Sequence, residues 1–167
     1  MPVFTFRMPA GIPGQVTREQ QSTVEAQLMS VATPLTAFGL PGAIDATTFQ
    51  FRGITTGDAA TAVYGFLVRP YPTTGGAVND PLATATPAIA GICNVLVRGY
   101  LDVVVNGATA AVKNGLVYVR VAAAAAGKPI GGIEAAADGG NTIVLPAHTY
   151  FMGPADANGN TEIAVNI

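Results

Sequence analysis

Charged residues are scarce in this sequence of 167 residues. Only 11% of the residues are charged, whereas half are apolar, and a typical soluble domain has about 25% charged residues. So little charge predicts that other chains cover much of the molecular surface, through oligomer contacts or by docking onto a larger surface. The alternative is a monomer whose surface consists mainly of Thr, Asn, Gly and Ala side chains.

Long apolar runs and basic clusters are also absent. The longest apolar stretch is far shorter than the roughly 20 residues that span a bilayer. The first residues do not combine a charged segment with a long apolar one, so we expect no secretory signal. Eight Lys and Arg residues are scattered singly, and the net charge is −2, which gives no electrostatic footprint for nucleic acid. The sequence therefore predicts neither a membrane nor a nucleic acid as a partner.

Residues suited to catalysis and metal binding are few. Cys93 is the single cysteine, which excludes an intramolecular disulfide, and its apolar neighbours favour a buried structural thiol. His148 is the single histidine, so a multi-histidine metal centre is excluded, and the only serines are Ser22 and Ser30. The carboxylates are dispersed, without a pair spaced for acid–base chemistry. We predict no enzyme, catalytic residue, metal or cofactor, and a site assembled from distant residues stays open as the alternative.

Two stretches resemble ligand-binding loops but depart from their patterns. Residues 127–128 resemble the end of a phosphate-binding loop, which needs a glycine in place of Ala122 and a Ser or Thr in place of Pro129. Residues 156–162 resemble part of a calcium loop, but the ligand spacing is wrong and a hairpin turn explains these residues better. Neither stretch predicts a bound nucleotide or ion.

The first 41 residues differ in composition from the rest of the chain. They contain five of the twelve prolines, which is typical of an arm or a linker. Thr17, with a glutamine three residues later, matches a capping box, so residues 18–29 could form two or three helical turns that Pro34 would stop. We predict two parts: an extended N-terminal arm at 1–41 that can hold a short helix, and a β-domain at 42–167.

From about residue 47 the sequence consists of short strand-like runs separated by turn residues. Residues 49–52 alternate apolar and polar side chains, and residues 63–69 are strongly β-forming. Residues 92–105 read as two strands divided near Gly99. About eight or nine such runs indicate an all-β sandwich or barrel. The alanines at 122–126 favour either one helical turn or a small-residue loop.

Motifs along most of the chain resemble those of the cement (decoration) proteins of tailed-bacteriophage heads. In order, they are GIPGQVTR at 11–18, TVEAQ at 23–27, GFLVRPYP at 65–72, LVRGY at 96–100, VYVRV at 117–121, GGIEA at 131–135 and GPADANG at 153–159. The resemblance implies an all-β fold, namely a jelly-roll-like β-sandwich or barrel that assembles as a dimer or trimer.

The same resemblance implies a non-enzymatic virion structural protein on the capsid exterior, assembled in the cytoplasm of a bacterial host. Its partners would be the major capsid protein and further copies of itself, and it would stabilise the junctions between capsomers. Arginines at strand ends either protect strand edges or pair across subunits. We therefore expect capsid or inter-subunit contacts at eight residues: Ile12, Val16, Arg18, Val24, Leu28, Arg69, Arg98 and Arg120.

The alternative function is that of another phage or surface β-module, such as a fibre, receptor-binding or glycan-binding domain. Glycan binders usually expose aromatic side chains beside clustered polar groups. The sequence contains no tryptophan, and its five tyrosines are dispersed, which makes this alternative the less favoured one.

Overall fold

The computed structural model describes residues 11–70 and 86–167, in which strands dominate and helix is limited to three-residue 3₁₀ turns. No helix in these residues is long and apolar enough to cross a membrane. The prediction of an all-β fold is confirmed. The ten strands of the described residues are β1 (Thr23–Met29), β2 (Pro41–Ile44), β3 (Phe51–Gly53), β4 (Val63–Leu67), β5 (Gly91–Asn106), β6 (Tyr118–Arg120), β7 (Ile133–Glu134), β8 (Thr142–Val144), β9 (Tyr150–Phe151) and β10 (Asn160–Val165).

Five strands form a closed barrel. Their order is β1–β3–β2–β4–β5, and β5 pairs again with β1 to close the ring. The β1–β5 pairing is antiparallel and long, whereas β1 meets β3 only at Met29, opposite Phe51. The more specific prediction of a jelly roll stays a prediction.

A second layer of strands is paired with the C-terminal half of β5, a strand of 16 residues. Beyond Gly99, β5 leaves the barrel and pairs antiparallel with β10, which also pairs with β9. The last two residues of β5 pair with β7, and the sheet continues through β6 to β8. One strand therefore serves both halves of the molecule.

Two apolar clusters follow from this arrangement. The first fills the barrel, and every barrel strand contributes to it: Met29, Ile44, Phe51, Leu67 and Val95. The second lies between the opposite face of the barrel wall and the second layer of strands, and includes Phe66, Leu96, Leu101, Val119 and Ile133. Because side chains alternate across a strand, β4 and β5 supply residues to both clusters.

The described part of the predicted arm, residues 11–41, is built into this fold. Its residues Leu35 and Phe38 are buried in the barrel cluster. The expected helix of two or three turns is not formed, since a single 3₁₀ turn at Glu19–Gln21 is followed directly by strand β1. Residues 1–10 of the arm lie outside the described residues. The division of the chain at residue 41 stays a prediction.

The reason for the missing helix is visible in the side chains. Thr17 donates its hydroxyl to Glu162 on β10, at 2.5 Å, instead of capping a helix. Beyond it, β1 alternates apolar and polar residues over 24–28, a period of two that suits pairing with β5. Tertiary pairing therefore overrides the local helical signal.

Other strand boundaries differ locally from the sequence prediction. The run at 49–52 begins as a strand only at Phe51, because Phe49 has a positive φ of 58° and is 74% exposed. Strand β2 was not predicted. The alanines at 122–126 form a loop rather than a helical turn, with an isolated bridge between Ala125 and Lys128. Residues 71–72 of the motif at 65–72 lie outside the described residues.

Candidate partner-contact surface

A segment before β1 lies along the second half of β5. The amide of Gly14 donates to the carbonyl of Asp102 at 2.8 Å, and the amide of Asp102 donates to the carbonyl of Gln15 at 2.9 Å. Val16 bridges to Leu101, and the amide of Thr17 donates to the carbonyl of Tyr100 at 3.1 Å. The segment therefore occupies the edge of β5 that faces away from β10.

Side chains fasten the end of this segment to β10. Arg18 donates to both carboxylate oxygens of Glu162, at 3.2 and 2.9 Å. The guanidinium of Arg18 also lies 3.9 Å from the ring centroid of Tyr100, within range of a cation–π contact. These contacts and the hydrogen bond from the Thr17 hydroxyl hold the segment in place. The other side chains of the segment remain available for contact with a partner.

A groove of about 680 Å³ separates this segment from the barrel wall. Its lining combines apolar side chains, such as Val16 and Val68, with polar ones, such as Gln15 and Asn94, a composition suited to an extended protein segment. The lining residues are Ile12, Gln15, Val16, Glu19, Ser22, Val24, Val68, Arg69, Pro70 and Asn94. Four of the eight residues expected from the sequence to contact a partner thus line one groove.

Arg69 is the cationic residue among the described residues that line the groove. It is half-buried, its Nε donates to the carbonyl of Pro13 at 3.1 Å, and its guanidinium lies 4.6 Å from the ring centroid of Phe38. Burial lowers the pKa of Arg69 from its ordinary value, although an arginine remains charged at neutral pH. These contacts within the chain therefore fix the position of the Arg69 guanidinium.

The outer face of β1 continues this surface beyond the groove. Val24 is 43% exposed and Leu28 is 48% exposed, with exposed Ala26 between them. Leu28 lies opposite Ile92 of β5, which is 81% exposed. The exposed Arg98 lies opposite Thr23 at the other end of the pair. The result is an apolar strip bounded by a charged residue.

The inner face of β1 is polar at one end of the barrel. Tyr64 of β4 donates its hydroxyl to Glu25, and Gln27 donates to Tyr64 at 3.4 Å. The hydrogen bond to Glu25, together with burial, raises the pKa of Tyr64. The two faces of β1 therefore differ: the outer one is apolar and the inner one carries the polar groups.

The expectation that Arg120 contacts a partner requires a correction. Arg120 is the largest fully buried side chain of the described residues, with 1% exposure, and lies on β6, away from the groove. Its guanidinium is bonded within the chain to Glu134 and Asp138, each at 2.5 Å. Burial leaves it without an exposed face, so we remove Arg120 from the set of contact residues.

Two contact candidates were missed by the sequence reasoning, namely Ile92 and Asn94 on the outer face of β5. Both are exposed beside β1, in register with Leu28 and Ala26. The alternation of side chains from residue 92 onwards was a usable signal, because residues 92 and 94 must share a face of a strand. Which face of β5 is exposed depends on the position of this strand in the barrel.

The described residues show no group of three or more His, Cys, Asp and Glu side chains that could hold a metal ion. Cys93 is half-buried, and burial raises the pKa of its thiol. A thiol with a raised pKa is a weaker nucleophile at neutral pH.

Comparison with known proteins adds two similarities. A family model described as XM1 gp53 minor capsid protein matches residues 1–165. A chain in the solved structure "The capsid of Myoviridae Phage XM1" superposes with a TM-score of 0.68 and 17% sequence identity, over 96% of the present chain and 92% of that chain. At this identity the structural likeness concerns the fold. No curated protein matches the sequence.

Proposed function

The chain belongs to the XM1 gp53 minor capsid protein family, and from this premise we propose that it binds the outside of a phage capsid and stabilises the junctions between capsomers. Membership of this family confirms the resemblance to capsid-associated proteins of tailed phages, and it places the chain in the virion as a structural protein. The proposal adds the site, the partner and the mode of binding.

The groove with its adjoining apolar strip supports the proposal most strongly. An extended segment of the major capsid protein would occupy the groove beside Arg69, with apolar contacts to Ile12, Val16 and Val24. Segments that lie along strands gain affinity from main-chain hydrogen bonds and specificity from alternate side chains. Each contact is weak, but repetition over a shell makes many contacts act together.

We further propose that the protein is not an enzyme, that copies associate with one another as dimers or trimers, and that neither nucleic acid nor membrane is a partner. The low charge of the chain, at 11%, is consistent with a subunit whose surface is covered in the assembled particle.

Under this proposal Arg18 acts indirectly, because it fastens the segment that forms one wall of the groove.

Binding to capsids can be tested with expanded heads that lack this protein. Purified protein is mixed with the heads, the heads are sedimented, and the copies bound per head are counted over a concentration series. We expect saturable binding at a regular copy number. Replacing Asn94 or Gln15, which are exposed and line the groove, by Trp should fill the groove and weaken binding by about tenfold, on the scale of one buried contact residue.

Val144→Trp is the matched control, since Val144 is exposed on β8 in the second layer. It should bind heads like the unmodified protein. Groove variants that bind heads with undiminished affinity would contradict the groove as the capsid site. No binding to heads, together with binding to host cells or glycans, would instead support the alternative of a receptor- or glycan-binding module.

A further inference from the structure

The edge of β1 that faces away from β5 has little pairing. Among the described residues, residues 23–28 pair with β5 alone, because β3 reaches β1 only at Met29. Backbone N–H and C=O groups along a strand edge can accept another strand. On β1 this edge adjoins the apolar outer face formed by Val24, Ala26 and Leu28.

The sequence of β1 is complementary to itself. When a second copy lies antiparallel about a twofold axis at Ala26, Val24 faces Leu28 of the second copy and Glu25 faces Gln27 of the second copy. The apolar residues then meet on the outer face, and each carboxylate meets an amide on the inner face. Directly opposite pairs of this kind stabilise antiparallel strands, whereas like charges directly opposite destabilise them.

Other registers lack this complementarity. An axis at Glu25 would place two carboxylates opposite each other, and an axis at Gln27 would place each Glu25 opposite Met29 of the second copy. The register at Ala26 avoids both the charge repulsion and the contact of a carboxylate with an apolar side chain. This pattern favours a second copy of the chain over an unrelated strand at this edge.

We propose that two copies associate through their β1 edges, antiparallel and centred on Ala26, to give a sheet that continues from one barrel into the next. The inference deepens the proposed function and rests on its self-association part. One strand pair buries less area than the roughly 1,200 Å² of a small stable interface, so association in solution should be weak. Copies held side by side on a shell would pair readily because their effective concentration is high.

Sedimentation velocity over a protein concentration series tests the proposal. Unmodified protein should show a reversible dimer. Ala26→Arg puts two guanidinium groups on the axis and should weaken dimerisation about tenfold, while Ala124→Arg, at an exposed loop residue, should leave it unchanged. Ala26 is exposed, so circular dichroism and thermal unfolding should be those of the unmodified protein.

Two substitutions of Gln27 give opposite expectations. Gln27→Glu places like charges opposite Glu25 of the second copy twice and should weaken dimerisation about fivefold, and Gln27→Lys should strengthen it by a similar factor. Unmodified protein that stays monomeric over the whole series would overturn the proposal. So would a shift in the same direction for both Gln27 variants.

Head binding separates this inference from the proposed function. A dimer that responds to these variants but does not bind heads would support the β1 contact and contradict the capsid role. Regular head binding by a protein that stays monomeric at every concentration would support the capsid role and overturn the β1 contact.

Discussion

At the scale of single residues, Arg120 shows how a sparsely charged chain uses its few charges. Its guanidinium binds Glu134 and Asp138 and also donates to the carbonyl of Ala123 at 3.1 Å. Lys128 lies 3.1 Å from the same Glu134. Burying charge without partners is costly, so these contacts compensate for the position of Arg120 and fix the loop after β6.

Replacing Arg120 by Met should lower the free energy of unfolding by about 3–5 kcal/mol, because Glu134 would stay buried without its main cationic partner. The exposed Arg98 provides the control, since Arg98→Met should change stability by less than about 0.5 kcal/mol. Urea unfolding at pH 7, followed by far-ultraviolet circular dichroism, measures both. Equal stability of the two variants would contradict the assigned role of Arg120.

The same variant has an expected pH dependence. Burial opposes ionisation of Glu134, but its hydrogen bonds to Arg120 and Lys128 outweigh burial and lower its pKa. Arg120 also lowers the pKa of Asp138. Lowered carboxyl pKa values add stability above the unfolded-state values, and this stability is lost as pH falls through the folded-state values, below about pH 4. Arg120→Met should therefore lose less stability on acidification than the unmodified protein.

At the scale of elements, β5 joins the barrel to the second layer. The transition is at Gly99, which has a positive φ of 134° and is in contact with Ser22. A side chain there would place its Cβ 2.3 Å from the hydroxyl oxygen of Ser22. The sequence suggested a division near Gly99, and the structure shows one strand whose partners change there.

Gly99→Ala should be more destabilising than Gly91→Ala, which provides a matched control. Both glycines have positive φ angles, but a Cβ at Gly91 would meet no atom of the described residues within 4 Å. Backbone strain of about 1–2 kcal/mol is common to both, and the contact with Ser22 should add about 1–3 kcal/mol at Gly99 alone. Urea unfolding of both variants measures the difference, and equal losses of stability would show that Ser22 can move aside.

At the scale of the whole molecule, the described part of the predicted arm, residues 11–41, packs with the rest of the chain. This part supplies β1 of the barrel and the buried residues Leu35 and Phe38. Strand β5 contributes to both apolar clusters and pairs in both layers. The barrel and the second layer should therefore depend on each other for stability.

We expect a single cooperative unfolding transition for the full chain. Because β5 belongs to both layers, loss of one layer would expose apolar residues of the other, such as Leu96 and Leu101. Differential scanning calorimetry should give equal calorimetric and van't Hoff enthalpies, as for a two-state domain. Two separate transitions would mean that the layers are independent.

The fold class and the family could be predicted from the sequence, because both follow from local patterns and the order of motifs. Short β-forming runs with turn residues between them predicted an all-β fold, and the ordered motifs indicated a capsid-associated protein of a tailed phage. Both predictions are confirmed. Ile12, Val16, Val24 and Arg69, which the sequence led us to expect at a partner contact, line one groove, and the contact itself stays a prediction.

The sequence by itself thus determined strand-forming runs and family, because these follow from side-chain alternation and residue order. The tertiary structure alone decided which strand face is exposed, that residues 23–29 form a strand, and that Arg120 is buried with its carboxylates. Those outcomes depend on partners far along the chain, such as β5 for β1 and Glu134 for Arg120. The scarcity of charge, at 11%, indicated a covered surface, but only the fold located the groove and the apolar edge that partners could cover.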